Sequence, residues 1–294
     1  DAAVQSGCDA VHPGYGFLAE NAEAARAVEA AGLIWVGPTP EQIELLGDKI
    51  AAKRAAVEAG VPSTSIYTVD PGAPPPEGVT MPALVKAAAG GGGRGMRVVR
   101  SADELPEAIE AASREALSAF GDATVFIEPY IEAGRHVEVQ VMADAHGSVI
   151  HLGERDCSVQ RRNQKVIEEA PAPGLDDAVR ESLRSGAVAL ARHVGYRGAG
   201  TVEFLVGPDG TTTFLEVNTR LQVEHPVTEA ITGLDLVEMQ LLVAAGRPLA
   251  ITQEEVRFDG HAIEARVVAE DPTAGWLPST GRIERFSIDG QVRV

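Results

Sequence analysis

The chain has 294 residues, 45% of them hydrophobic and 23% charged, with a formal net charge of −18. This is the composition of a soluble globular protein large enough for two or three subdomains with their own cores, and no apolar run approaches the roughly 18 residues of a membrane span. The acidic balance argues against nucleic acid as a partner and obliges any anionic ligand to find a local cationic site.

In chain order, the tail of a helix leads to a short strand at Ala10-Val11-His12 and a loop at Pro13-Gly14-Tyr15-Gly16. Helix 21–31 and strand 33–36 complete an αβαβ piece of a parallel sheet that begins mid-fold, so an upstream strand is expected before residue 1. Residues 40–60 read as two helices split near Gly47-Asp48-Lys49, and 71–76 as a proline loop. Residues 82–130 give strand, glycine loop, strand, a helix over 101–119 opened by a capping box at Ser101–Glu104, and strand 124–128. Two antiparallel strands over 135–156 flank Asp144–Gly147, and a helix spans 175–195. Strands 200–206 and 212–218 join through the turn Gly207-Pro208-Asp209-Gly210. Helix 234–246 and strand 259–269 follow, and the lack of a closing element at Val294 predicts a further C-terminal part.

The glycine loop is Lys86-Ala87-Ala88-Ala89-Gly90-Gly91-Gly92-Gly93-Arg94-Gly95-Met96. Without Cβ atoms, backbone N–H groups can approach a polyphosphate closely. It lacks the P-loop pattern, fits the dinucleotide-binding spacing poorly and is followed by a strand rather than a helix. It therefore reads as a hairpin lid over phosphates, with a disordered surface loop as the alternative. Cations gather as Lys86, Arg94, Arg97, Arg100 and as Arg155, Arg161, Arg162, Lys165. The two cysteines, Cys8 and Cys157, are too few for a disulfide framework and suit a reducing cytoplasm. Cys157, in an arginine-rich stretch, is a candidate reactive thiol, though a thiol with no dedicated base is more often inert.

Glu203 and Glu216 face each other if their strands pair through the Gly207–Gly210 turn, and Asn218 shares the side of Glu216. Two carboxylates and an amide oxygen make a hard site suited to magnesium held partly through substrate phosphates. Carboxylates flanked by Val, Phe and Leu need a partner of this kind. Beyond them Arg220, Gln222 and Glu224 alternate, which puts all three on one face if the segment is extended. An arginine beside a carboxylate can hold a planar oxyanion and offer it a base; a plain surface salt bridge is the other reading.

Together these motifs resemble the biotin carboxylase family of the ATP-grasp superfamily. The likeness runs through nearly the whole chain: His12–Asn21, Gly47–Lys49, Lys86 with Gly90–Met96, Arg135–Glu138, Glu154–Lys165, Glu168–Pro173, Gly198–Phe204, Glu216–Pro226 and Ala265–Pro272. The resemblance implies an ATP-grasp fold, α+β with a partial N-terminal parallel α/β domain. Residues 1–48 would be that partial domain, 49–60 a helical linker, and 61–130 the lid subdomain. Residues 131–294 would be the catalytic subdomain and the start of a truncated C-terminal domain.

The same resemblance implies an ATP-dependent ligase that carboxylates biotin on a carrier protein, with bicarbonate activated as carboxyphosphate. It assigns ATP contacts to Lys49, Lys86, Gly91, Gly92, Gly93, Glu128 (at the adenine), Ile131, and His136 and Gln160 (near the ribose). Magnesium or manganese would be bound by Glu203 and Glu216 with Asn218 beside them. Bicarbonate would lie on Arg220, Lys165 and the Val223 backbone. Glu224 would be the base and Arg266 the group that stabilises charge on the ureido oxygen of biotin. Expected partners are a biotin carboxyl carrier, a carboxyltransferase subunit and a second copy of the full-length chain, in an acyl-CoA carboxylase of fatty acid biosynthesis. Asn163 departs from the histidine of bacterial single-subunit members and resembles the large acyl-CoA carboxylase subunits. Another bicarbonate-phosphorylating ATP-grasp ligase, such as a carbamoyl phosphate synthetase domain, and a catalytically dead nucleotide-binding module are the alternatives.

Overall fold

The computed structural model describes residues 1–70, 72–88, 96–288 and 292–293. It opens with α1 (Ala2–Gln5), β1 (Ala10–Val11), α2 (Ala22–Ala30) and β2 (Ile34–Trp35). β1 and β2 pair in parallel, Ala10 with Ile34 and Val11 with Trp35, as an αβαβ fragment requires. α3 (Pro40–Gly47) starts in a complete capping box between Thr39 and Gln42 with a proline in its first turn. Asp48 ends it and caps α4 (Lys49–Glu58), accepting from the N–H groups of Ile50 and Ala51 at 2.9 Å each. The Gly47-Asp48-Lys49 break is thus a capped junction that sets Lys49 at the start of α4.

A four-stranded antiparallel sheet follows, in the order β3-β6-β4-β5. Its strands are β3 (Tyr67–Val69), β4 (Ala83–Ala87), β5 (Arg97–Val99) and β6 (Val125–Pro129), with α5 (Leu105–Phe120) between β5 and β6. Leu105, Ile109 and Ala112 of α5 pack on Val85, Val99, Val125 and Ile127. β4 and β5 pair, Ala83 with Val99, so the flanks of the glycine loop form the expected hairpin. Residues 89–95, which include Gly91, Gly92, Gly93 and Arg94, lie outside the described residues. The expected capping box serves a 3₁₀ turn instead: Ser101 Oγ accepts from Asp103 N–H, and the Glu104 carboxylate accepts from Arg100 N–H. The helix proper starts later, at Leu105, where Pro106 occupies the first turn and forfeits no helical donor.

The largest sheet is antiparallel, six strands in the order β11-β10-β7-β8-β9-β12. These are β7 (Arg135–Ala143), β8 (Val149–Arg161), β9 (Gln164–Ala170), β10 (Gly198–Val206), β11 (Thr212–Asn218) and β12 (Ala262–Ala265). Alternation decides its faces. Val137, Val139 and Val141 join Val202, Phe204 and Phe214 in a core closed by α4 and α6 (Asp177–His193). His136, Glu138 and Gln140 take the opposite face. Each buried aliphatic side chain contributes about 1.5–3 kcal/mol, and a one-residue slip would drive Glu138 and Gln140 into that core, so the valines fix the register. The polar face is flanked by Met142, Leu152 and Ala199, packed with Leu221 and Leu236, and by α7 (His225–Thr232) and α8 (Leu236–Ala244). The last strands among the described residues form a short antiparallel pair, β13 (Glu270–Asp271) and β14 (Leu277–Pro278). Among the described residues no helix is long and apolar enough to cross a membrane.

Candidate active site

A row of charged residues crosses four adjacent strands of the large sheet. Glu216 of β11 is paired in register with Glu203 of β10, Glu203 with Glu138 of β7, and Glu138 with Arg155 of β8. Glu138 and Arg155 are completely buried. Arg155 donates through Nε to Glu138 at 2.6 Å, through Nη1 to Gln140 at 2.9 Å and Thr228 at 2.8 Å, and through Nη2 to Thr201 at 3.3 Å. Four consecutive charges on one face are tolerable only because each carboxylate meets a cation.

Lys165 supplies most of that compensation. It sits on β9 opposite Gln160, just past a two-residue turn at Arg162 and Asn163, both left-handed with φ of 52° and 62°. From there Nζ donates to Glu138, to Glu203 at 2.8 Å and to Glu224 at 2.7 Å. Burial alone would lower the Lys165 pKa, but Glu138 and Glu203, with Glu224 farther down, outweigh it and raise the pKa well above the usual lysine range. Burial would likewise raise Glu203, yet Lys165 and His136 hold it well below the usual carboxylate range. Glu224 is depressed against its burial by Lys165 and Arg155.

Of the expected nucleotide and metal residues, Asn218, His136 and Gln160 gather around Glu203 on the large sheet, whereas Lys49 is on α4 and Lys86 and Glu128 are on the small sheet. Asn218 Nδ2 donates to Glu203 Oε1 at 2.8 Å, and His136 Nε2 lies 2.7 Å from Glu203 Oε2. His136 Nδ1 meets Gln160 Nε2 at 2.7 Å, so the two expected ribose residues touch. Lys49 stands 3.7 Å from the partly exposed Glu216. Lys86 reaches Glu128, whose carboxylate is also 2.7 Å from Lys53. Against the burial that would raise it, Lys86 and Lys53 bring the Glu128 pKa down to about 2. Ile131 lies in the loop after β6, half-buried, its methyl 3.2 Å from where a Cβ on Gly134 would stand.

Oxygens of Glu203 and Glu216 on neighbouring strands, with Asn218 alongside, form the hard donor set a divalent cation takes when phosphates complete its shell. His136, Glu138 and Glu203 also bring one ligand atom each to within 4.8 Å of one another. The residues present therefore fit a magnesium ion.

Arg220, Gln222 and Glu224 do not share an extended face. The chain turns at Val223 and Glu224, and α7 begins at the next residue. The reason is local: His225-Pro226 is a helix start, with proline in the first turn. Glu224 thereby sits at the N-terminal end of a helix, where an anion is favoured, fully buried between Lys165 and Arg266 Nη2, the latter at 2.7 Å. Gln222 is buried, Val223 is exposed, and Arg220 meets Glu20 at 3.2 Å, donates to the Leu221 carbonyl at 3.3 Å and reaches Asn218 Oδ1 at 3.5 Å. Arg266 also stands 2.7 Å from Glu168, off the line of a hydrogen bond.

Among the described residues the expected cation clusters hold only in part: Arg155 and Lys165 meet on Glu138, and the others find separate partners. Arg97 pairs with Glu115, Arg100 with Glu132, Arg161 with Glu270, and Arg155 is buried under the charged row. Cys157 is buried, and its thiol is pushed well above the usual range by that burial and by Glu138, so it is not a ready nucleophile. Glu138, Glu20 and Lys53 received no role from the sequence, and Arg155 only that of a member of a cation cluster. For Glu138 the signal was present: His136, Glu138 and Gln140 alternate with three valines, and polar residues in that phase share one face.

Two family models match the chain: one described as "Carbamoyl-phosphate synthase L chain, ATP binding domain" over residues 48–252, and one described as "Biotin carboxylase, N-terminal domain" over residues 1–43. The propionyl-CoA carboxylase alpha chain of Ruegeria pomeroyi is 52% identical, over 96% of this chain and 42% of that protein. A biotin carboxylase of Halalkalibacterium halodurans is 52% identical, over 98% of this chain and 65% of that protein. The biotin carboxylase domain dimer of Hydrogenobacter thermophilus 2-oxoglutarate carboxylase, solved with MgADP, ADP and bicarbonate, superposes with a TM-score of 0.90 at 46% identity, covering 99% of this chain and 66% of that one. This chain thus spans between 42% and 66% of the length of these relatives. The ATP-grasp architecture, the charged row and these matches agree: the chain belongs to the biotin carboxylase family.

Proposed function

We propose that this chain is the ATP-dependent ligase part of a biotin-dependent carboxylase, which carboxylates biotin on a carrier protein with bicarbonate by way of carboxyphosphate. The observation that carries this is Lys165 among Glu138, Glu203 and Glu224, with Arg266 paired to Glu224: an ionised base flanked by cations beside a metal-fitting pair of carboxylates. Residues 61–130 act as the lid and 131–294 as the catalytic part.

Lys49 and Lys86 hold ATP phosphates as point charges, and Glu128, Ile131, His136 and Gln160 line the nucleoside. Gly91, Gly92 and Gly93, which lie outside the described residues, are assigned to the phosphates by the family resemblance alone. Glu203 and Glu216, with Asn218 beside them, would hold magnesium or manganese, which would supply charge neutralisation for the phosphates. Arg220, Lys165 and the Val223 backbone orient bicarbonate, and Glu224 takes its proton as its oxygen forms a bond to the γ-phosphorus and the bond to ADP breaks. Carboxyphosphate then divides into CO₂ and phosphate. The released phosphate takes the proton of the ureido nitrogen of biotin, the nitrogen bonds to CO₂, and Arg266 stabilises the negative charge on the ureido oxygen. Exclusion of water by the closed lid protects an intermediate that water destroys.

The acceptor is an acyl-CoA, a reading supported by the propionyl-CoA carboxylase relative and by Asn163. The working assembly includes a biotin carboxyl carrier, a carboxyltransferase and a second copy, and it resides in the cytoplasm. ADP release by the full-length protein tests the reaction: bicarbonate should stimulate it, and free biotin should stimulate it further. Stimulation by bicarbonate without any biotin effect points to a carbamoyl-type ligase, and no response to either points to a dead module; both outcomes overturn the proposal.

A further inference from the structure

Lys53 has no role in the scheme above, yet it lies directly beneath the nucleotide residues. It is on the inward face of α4, 3% exposed, where burial disfavours its charge and pulls its pKa down despite Glu128. Its Nζ lies 2.7 Å from Glu128 Oε2, 2.9 Å from Thr64 Oγ1 and 3.5 Å from the Phe214 carbonyl oxygen. The Thr64 hydroxyl in turn donates to the same Oε2 at 2.9 Å. Oε1 is left to Lys86. One carboxylate is thus divided, with the Lys53–Thr64 pair on one oxygen and Lys86 on the other.

The place matters as much as the contacts. Lys53 comes from α4, Glu128 from β6 of the small sheet, and Phe214 from β11 of the large sheet. The chain entering the small sheet is fastened to the same residue, with Phe214 N–H donating to the Pro62 carbonyl at 2.8 Å and a bridge between Ser63 and Phe214. A carboxylate with one free oxygen could rotate and chelate Lys86 through both, drawing that ammonium away from the ligand. Holding Oε2 prevents this.

We propose that Lys53 is a positioning residue of the nucleotide site: by fixing Oε2 of Glu128 it leaves Oε1 as the anchor of Lys86 and so sets where the Lys86 ammonium meets the nucleotide. This rests on the ATP reading above, and the experiment separates the two. MgATP affinity of the full-length wild-type protein is measured first by calorimetry; absence of binding there defeats the ATP reading itself. Given binding, Lys53→Met should raise KM for ATP about tenfold, with kcat within about twofold and KM for bicarbonate unchanged. Thr64→Val, which leaves the ammonium in place and keeps the test available if Lys53→Met does not fold, should raise KM for ATP about threefold in the same pattern. Unchanged KM for ATP in the folded variants overturns the proposal. So does a joint rise in the ATP and bicarbonate constants, which is the mark of general structural support.

Discussion

Two ends of the site solve opposite problems. At the small-sheet end one carboxylate, Glu128, lies between two lysines, Lys53 and Lys86. At the large-sheet end one ammonium, Lys165, lies among three carboxylates, Glu138, Glu203 and Glu224. In both, the outnumbered charge is locked in its ionised form against burial. The first end keeps a surplus of positive charge, which suits a polyphosphate. The second gathers carboxylates whose charge Lys165 shares with Arg155 and Arg266, and these oxygens suit a metal ion and a proton acceptor. The two coexist because they stand on different sheets, Glu128 on β6 of the small one and Lys165 on β9 of the large one.

The comparison breaks most severely at Lys165. Lys165→Met leaves three buried or nearly buried carboxylates without their shared partner, and removing one member of such a network costs about 3–5 kcal/mol. Denaturant unfolding should read that loss, and bicarbonate-dependent turnover should fall by about 10³ or more. Arg266→Ala cuts less deeply and sharpens the division of labour. Biotin carboxylation should drop by about 10²-fold, while biotin-independent, bicarbonate-dependent ATP hydrolysis drops far less; equal losses in parallel assays would refute the role given to Arg266.

The smallest effect is on stability and concerns Glu264, paired in register across β9 and β12 with the buried Glu168. Burial and the charges of Glu168 and Glu224, opposed by Arg266 and Arg155, push its pKa up to about 7. A carboxyl raised in the folded state holds its proton longer there than in the unfolded chain. Its contribution is therefore present below about pH 4.3 and lost as pH rises towards 7. Glu264→Gln should remove that loss. For a half-exposed group screened by solvent, the gain at pH 8 is about 1 kcal/mol, with none at pH 4. Urea melts at the two pH values check it.

Much of this was legible in the sequence where the physics is local. The alternation of Val137, Val139 and Val141 with His136, Glu138 and Gln140, the turn at Gly207–Gly210 and the opposition of Glu203 and Glu216 all follow from strand period and turn chemistry. β9 was missed because Gln164–Ala170 has no clean alternation; its strand state comes from pairing with β8 and β12. The dispersal of the arginines was illegible for a similar reason. Arg161 finds Glu270, and Arg100 finds Glu132, across separations that only the folded chain closes. At Glu224 an overt signal, the proline of a helix start, was read as part of an extended run.

The central claim is that Glu224 serves the bicarbonate end alone, held as an anion by Lys165 and Arg266 and apart from the nucleotide. Glu224→Gln tests it most directly, with MgATP affinity measured by calorimetry and biotin carboxylation measured on the same full-length protein. ATP affinity should stay within about twofold of wild type while carboxylation falls at least about a hundredfold. Loss of ATP affinity in step with carboxylation, or carboxylation that persists, would contradict it.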